Sequence, residues 1–423
     1  MNRESSGLAQ AKELDRQDPL GKYRPQFHIP TDGNGNDIIY FCGNSLGLQP
    51  TATSTEISQV LQEWSQKGVE GHFQGNPSWI EYNDKLKPSL AANVGAQPEE
   101  VTIMNTLSVN LHLLLVSFYK PKGNRTKILL EADAFPSDKY VVASHLKWHG
   151  LDPKEHMVYV SSADEKPILQ EADIERTFNQ HPNQITTAMI GGINYYTGQF
   201  LPIPEITDLC HRHGAVAGFD LAHAIGNVPL HLHDWGVDFA AWCHYKYMNA
   251  GPGAIAGAFI HEKHHHLREP RLEGWWGNRL STRFVMRDEF EPEQGAEAWV
   301  MSTPPTLAIA PLRASLRIFD EVSMTKVRGK SIALTGYLEA ELLRQIGEYI
   351  DIITPSSADD RGCQLSIRVR DGDRNLLDKI RARGIEIDWR EPDVLRVSPC
   401  PLYNSYSEVF RFVEILTDLL DKT

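Results

Sequence analysis

Cysteine is scarce in this chain. Five occur in 423 residues (Cys42, Cys210, Cys243, Cys363 and Cys400), scattered and without a CxxC pair. An odd, unpaired set excludes a disulfide framework or a zinc ribbon and fits a reducing cytoplasm. Long apolar runs are missing too. No stretch reaches the roughly eighteen apolar residues that a membrane helix needs, so no span is expected. The N-terminal MNRESSGLAQAKELDRQDPL lacks the apolar segment of a secretory leader, so a cytoplasmic location is expected. Positive charge is in deficit: 42 Lys and Arg stand against 55 Asp and Glu, a formal net charge of −13. Nucleic-acid binding needs a basic surface and is excluded as the main role. There is no internal repeat and no low-complexity segment.

What remains is globular: 41% hydrophobic and 23% charged residues, in a chain long enough for two or three domains. Residues 1–37 read as a mostly irregular polar arm with one short helix. DIIYFC (37–42) reads as a strand and GNSLGLQP (43–50) as a loop; helical periodicity follows over 51–68 and again to about residue 94. Strand and helix signals then alternate. Strands at 101–105, 127–132, 157–161, 185–194 and 215–223 are each followed by a helix or turn signal, the third by a helix near 168–179. That alternation predicts a mainly parallel sheet covered by helices, with ligands at the carboxyl ends of the strands. Helices are expected at about 305–322 and 325–346. Residues 350–423 change to short strands and helices, a small α+β domain.

The residues just after each strand carry the chemistry. Lys246 sits in DFAAWCHYKYMNAGPGAIAGAFI (238–260), between two tyrosines after a buried-strand pattern. It reads either as a lysine forming an imine with a carbonyl compound or as a strand-end lysine with its head group in water. Asp220 in GFDLAH reads either as the partner of a protonated heterocyclic nitrogen or as a helix N-cap. Asp220 follows one strand and Lys246 the next, as a pyridoxal phosphate site requires. Ser108, after the strand at 101–105, stands at a helix start suited to a phosphate. Phe135, in AFPSD, offers a ring to stack on a flat ligand.

FPSD, YYTGQ, GFDLAHAIGN, LHDWGVDFAAWCHYKY, NAGPG, IAGAFIHEKH, GWWG and LSTRF together resemble the kynureninase family over about residues 41–406. The resemblance implies an aminotransferase-like fold of type I. Its large domain holds a mainly parallel seven-stranded sheet with helices on both faces, beside a smaller α+β C-terminal domain. It implies an N-terminal segment (1–50) packing with the small domain, a cofactor domain (51–315) and the small domain (316–423). It implies pyridoxal 5'-phosphate as cofactor. The reaction implied is hydrolysis of L-kynurenine or 3-hydroxy-L-kynurenine to an anthranilate and L-alanine, in tryptophan degradation and NAD biosynthesis. A cytoplasmic homodimer with active sites near the interface is implied as well. Position by position, Lys246 resembles the Schiff-base lysine, Asp220 the partner of the pyridine nitrogen and His223 its support. Leu107 and Ser108 resemble the phosphate-side segment. Phe135, Pro136, Ser137 and Asp138 resemble the segment against the cofactor ring, and Tyr245, Trp275 and Thr303 the phosphate surroundings. Gly191 stands where some members have serine. Arg396 resembles the arginine that clamps the substrate α-carboxylate. Ser45 and His72 match positions near the substrate's aromatic end, where His72, Trp276 and Asn278 would set the preference for the 3-hydroxy group. Tyr245 is the candidate proton donor or relay.

Other motifs carry competing signals. GNSLG (43–47) matches the G-x-S-x-G elbow of a serine hydrolase, but Pro50 and a turn stand where the elbow needs a helix. GPGAIAG (251–257) departs from the dinucleotide fingerprint. A cysteine desulfurase-like lyase needs a mobile cysteine, whereas Cys363 and Cys400 lie in strand-like runs. A non-enzymatic scaffold of the same fold would need no reactive Lys246. His261, His264, His265 and His266 show no acidic or cysteine partner at metal-ligand spacing, so a solvated run and no metal are expected.

Overall fold

The computed structural model describes residues 3–163, 167–266, 270–370 and 372–420. Residues 1–2 of the expected arm and 421–423 of the expected small domain lie outside them. The arm differs from expectation: Arg3–Gln17 is a four-turn α-helix. Leu8, Ala11 and Leu14, one helical turn apart, pack into the C-terminal lobe. Asp15 accepts the backbone N–H groups of Tyr406 and Ser407 (2.6 and 3.1 Å). It thereby satisfies free donors at the start of helix Tyr406–Leu420. This narrow stripe on a polar helix gives little signal until its partner helix is known. Of DIIYFC only Ile39–Tyr40 (β1) is a strand.

The large sheet comprises β2 (Val101–Ile103), β3 (Lys127–Glu131), β4 (Met157–Val160), β5 (Ile185–Gly191), β6 (Val216–Asp220), β7 (Phe239–Cys243) and β8 (Ala256–Ile260). Their order is β2-β8-β7-β6-β5-β3-β4. Only β8 runs against the rest, paired antiparallel with β7 and with β2. Side chains alternate between two cores. Leu129, Ala188, Ile190, Ala217, Phe219 and Ala240 face one; Ile128, Leu130, Met189, Phe239 and Ala241 face the other. Both faces are covered by helices, which is why the strands read as continuous apolar runs.

The reversal into β8 depends on glycine. Gly251 and Gly253 have φ of +93° and +66°, where a side chain would be strained. A Cβ at Gly257 would stand 2.4 Å from Trp242 Nε1, so only glycine lets the return strand close on that buried indole.

The C-terminal lobe holds β9 (Ile350–Ile352), β10 (Leu365–Val369), β11 (Ile385–Glu386), β12 (Asp388–Arg390) and β13 (Val394–Val397). Four form an antiparallel sheet ordered β12-β13-β10-β9, and β11 pairs in parallel with β1. Helix Met324–Ile346 joins the two lobes: Val327 lies in the large-sheet core and Leu334 onward in the C-terminal core. Among the described residues no helix is long and apolar enough to cross a membrane.

Candidate active site

A cavity of about 350 Å³ opens at the carboxyl ends of the parallel strands. It is lined by Ser45, Leu107, Ser108, Phe135, Ser137, Asp138, Asp220, His223, Tyr245, Lys246 and Arg396, all singled out from the sequence. Pro136 opens the helix that carries Ser137 and Asp138, Pro136–Trp148, where its fixed φ suits the first turn.

One end of the cavity suits an anion. Helices Leu107–Phe118 and Pro136–Trp148 both begin there, and Ser108 Oγ and Ser137 Oγ lie 2.9 Å apart. Free backbone N–H groups, hydroxyls and two helix dipoles converge. The other end is acidic. Asp220 ends β6, and its Oδ1 accepts the N–H of Ala222 at 2.7 Å. A turn rather than a helix follows, so Asp220 is not a helix cap. Burial raises its pKa against the pull of Lys246. Burial, and then the negative charge of Asp220 and Glu131, holds Asp138 well above the usual carboxylate range. His223 is buried and held well below its ordinary pKa, first by burial and then by Lys246 and two arginines, so its ring is neutral. Asp138 Oδ1 and His223 Nδ1 are buried without a hydrogen-bond partner among the described residues. Such groups are costly unless a ligand completes them. Between the two ends lies Lys246, its ammonium 5.9 Å from the Tyr245 ring centre. Burial pushes the Tyr245 phenol up, so it keeps its proton. A flat heterocycle with a phosphate, an aldehyde and a basic ring nitrogen fits these groups.

The mouth is built by the C-terminal lobe. Arg396 on β13 is 1% exposed. It donates to the Tyr195 carbonyl oxygen (2.7 Å) and to Ser45 Oγ (3.3 Å) and pairs with Asp388. Asp388 also binds Arg390 (2.9 Å) and accepts from Ser45 (2.7 Å). Two arginines share one carboxylate, leaving net positive charge at the rim.

Several of these residues escaped sequence reasoning. Asp388 and Arg390 lie in IDWRE, six to eight residues before Arg396, but β12 and β13 become neighbours only in the sheet. Glu131 ends β3, fully buried, and accepts the Gly191 N–H at 2.8 Å. Burial pushes its pKa up to about 7. A Cβ at Gly191 would meet its Oε1 at 3.2 Å, so this carboxyl takes up the space that a side chain at 191 would need. Its only signal was its place at a strand end.

His72, Trp275 and Thr303 are not brought to the cavity within one chain, nor are Trp276 and Asn278. His72 and Trp275 instead belong to one chain of aromatic contacts: His72–Phe73 (6.3 Å), Phe73–Phe284 (6.0 Å) and Phe284–Trp275 (5.5 Å). Phe73, Trp275 and Phe284 are each 44–58% exposed, and Thr303 is exposed too.

The competing signals resolve. No helix follows Ser45, and its hydroxyl is engaged by Asp388 and Arg396, so GNSLG is not a nucleophile elbow. Cys363 and Cys400 lie just outside strands rather than in them. Both are buried, with thiols pushed up, Cys363 to about 12, and neither is a mobile nucleophile. The histidine run is not simply solvated. His264 bonds Asp238 at 2.8 Å, and His261 lies beside Glu100 at 3.6 Å. These acidic partners come from distant segments, invisible to local spacing.

Comparisons with known proteins agree with this geometry. The family described as "Kynureninase C-terminal domain" matches residues 327–416. Kynureninase from Xanthomonas campestris pv. campestris (strain 8004) is 48% identical over 96% of each chain. Kynureninase from Stenotrophomonas maltophilia (strain K279a) is 48% identical over 95% of each. Among solved structures, apo cysteine desulfurase from Thermococcus onnurineus NA1 superposes with a TM-score of 0.76 at 16% identity, covering 97% of this chain and 98% of that one. A mutant of C-DES with glycine covalently linked to its PLP cofactor gives 0.77 at 20% identity, covering 93% and 99%. At those identities the structural likeness shows the aminotransferase-like fold alone. The near full-length identity to curated relatives decides the rest: the chain belongs to the kynureninase family.

Proposed function

We propose that this chain hydrolyses the Cβ–Cγ bond of L-kynurenine, or its 3-hydroxy form, to an anthranilate and L-alanine with pyridoxal 5'-phosphate as cofactor. One observation supports this most: a single cavity places Lys246 between an anion-binding end and a pair of buried acids. Lys246 would hold the cofactor aldehyde through its amine, Asp220 its ring nitrogen, and Ser108 and Ser137 its phosphate. Phe135 would stand against the ring. When bound, the cofactor supplies an electron sink for the pair left on the substrate α-carbon. The neutral His223 leaves Asp220 as the nearby charge on the ring nitrogen. Arg396, steadied by Asp388 and the Tyr195 carbonyl, binds the α-carboxylate, with Ser45 beside it. Lys246, once its amine is free, takes the α-proton. Water adds to the γ-carbonyl, and the Cβ–Cγ bond breaks to release the aryl acid. Tyr245 returns a proton to the β-carbon; a phenol that holds its proton suits a donor.

His72, Trp275 and Thr303 complete the site from a second copy of the chain. The exposed aromatic patch that joins His72 to Trp275 through Phe73 and Phe284 is of the kind a subunit interface covers. In that homodimer the described residues of 51–315 would make the cofactor domain and those of 316–423 the small domain; the Arg3–Gln17 helix packs on the latter, whereas Leu20, Tyr23, Phe27 and Leu48 join the large-sheet core. The buried free thiols suit the cytoplasm, and the products place the enzyme in tryptophan degradation. The test is direct. The purified protein with pyridoxal phosphate should be yellow, release fluorescent anthranilate from L-kynurenine, and carry a borohydride-fixed label on Lys246. A colourless, inactive protein, or a label elsewhere, refutes the assignment.

A further inference from the structure

We propose that Glu100, His233 and His261 form a binding site for a divalent transition-metal ion of the zinc class, a structural clip remote from the lysine cavity. His261 directly follows β8 at Ile260, and Ile260 pairs with Phe239, the first residue of β7. Glu100 directly precedes β2, and His233 lies in the segment between β6 and β7. The cluster therefore sits at the end of the sheet opposite Lys246, and an ion there would tie three separate segments together.

The ligand atoms are spaced for one ion. Glu100 Oε1 lies 3.0 Å from His233 Nδ1 and 3.6 Å from His261 Nδ1, and all three atoms lie within 4.8 Å of one another. A tetrahedral ion with bonds of about 2.0–2.1 Å spaces its ligands about 3.3 Å apart, between those values. The supporting contacts are in place as well. His261 Nε2 lies 3.2 Å from the His233 carbonyl oxygen. Donation there leaves the Nδ1 lone pair turned to the cluster, the usual support of a metal-bound imidazole. Nδ1 also receives the Lys263 N–H at 3.2 Å, a long bond that an ion would replace. The Glu100 carboxylate is fully buried and oriented by the N–H groups of Gln97 (2.9 Å) and Glu262 (2.8 Å).

The Lys263 ammonium does not compete. Lys263 Nζ is held by Asp238 and the Gly236 carbonyl, each at 2.7 Å. Two imidazoles and a carboxylate suit zinc, cobalt or nickel rather than magnesium or calcium. His233 is 28% exposed and His261 12%, which leaves room for water as a fourth ligand. Binding exchanges the proton between His233 and Glu100 for the ion.

The test uses tag-free, full-length holoenzyme, stripped with a chelator and titrated with zinc against a chromophoric chelator. One zinc per chain should bind. His233→Ala, His261→Ala and Glu100→Gln should each weaken binding by at least about 10-fold, with turnover unchanged in the absence of zinc. His265→Ala and His266→Ala should bind as the parent does. Binding that survives in the first three, or is lost in the last two, overturns the site. A second measurement needs no variant. The X-ray absorption spectrum of the zinc-loaded parent should show two imidazoles and oxygen, whereas a shell without histidine overturns it.

Discussion

Gly47→Ala is the sharpest test of how the lysine loop is positioned. The Gly47 N–H donates to the Tyr245 carbonyl oxygen at 2.8 Å, so the GNSLG loop lies against the loop that carries Lys246. A Cβ at Gly47 would stand 2.2 Å from the Lys246 carbonyl oxygen, 2.3 Å from Asn249 Oδ1 and 2.9 Å from Asn249 Cα. Carbon and carbonyl oxygen approach comfortably at about 3.3 Å, so the lysine backbone must retreat by about 1 Å. A misplacement of that size costs about 100-fold in rate, equivalent to about 2.7 kcal/mol of barrier. Overpacking of this kind costs about 1–3 kcal/mol of stability. Steady-state anthranilate release should show kcat down about 100-fold, while the melting temperature falls modestly and the far-ultraviolet circular dichroism is kept. Wild-type kcat and KM in a folded Gly47→Ala protein would refute the close approach as a positioning device.

Three further outcomes follow from the same geometry. Tyr245→Phe should lower kcat by about 100-fold or more with cofactor absorbance and KM little changed; unchanged turnover at saturating cofactor removes Tyr245 from proton delivery. Glu131, raised to about 7 from an ordinary value of 4.5, keeps in the folded state a proton that the unfolded chain has lost. It therefore costs stability as pH rises from about 4.5, and the loss is complete above about 7, reaching about 3 kcal/mol at most. Holoenzyme denaturant midpoints between pH 4.5 and 8 should show that decline, and Glu131→Gln should remove it; parallel pH curves for the two would contradict the burial argument. Mixing Lys246→Ala chains with Trp275→Ala chains should restore about one quarter of wild-type activity if each site draws on both subunits. No recovery on mixing would place Trp275 outside the partner's site.

Much of the cavity was legible because its residues follow strands in chain order. Asp220, Lys246, Ser108 and Phe135 each sit at the carboxyl end of a strand or at the helix start beyond it, where a parallel sheet gathers ligands. What escaped depends on pairings that no local pattern carries. Asp388 becomes a partner of Arg396 only when β12 and β13 lie side by side. The Arg3–Gln17 helix buries three small contacts against a helix at the other end of the chain. Glu100 meets His233 and His261 only after the sheet has brought β2 beside β8. His72, Trp275 and Thr303 came from family resemblance, and a single chain leaves them at its surface.

The one reversed strand also sets an order of events during synthesis. β2 is made early, yet among the described residues its only neighbour in the sheet is β8, which leaves the ribosome about 150 residues later. Until then β2 has no partner in the sheet, β7 is its open edge, and the segment 238–255, which holds Lys246, lacks its return strand. A nascent chain stalled before residue 256 would have made every parallel strand and still lack a formed lysine loop. Such a long-range closure is slow compared with local hairpins, so the loop that holds Lys246 is expected among the last parts of the large sheet to take shape.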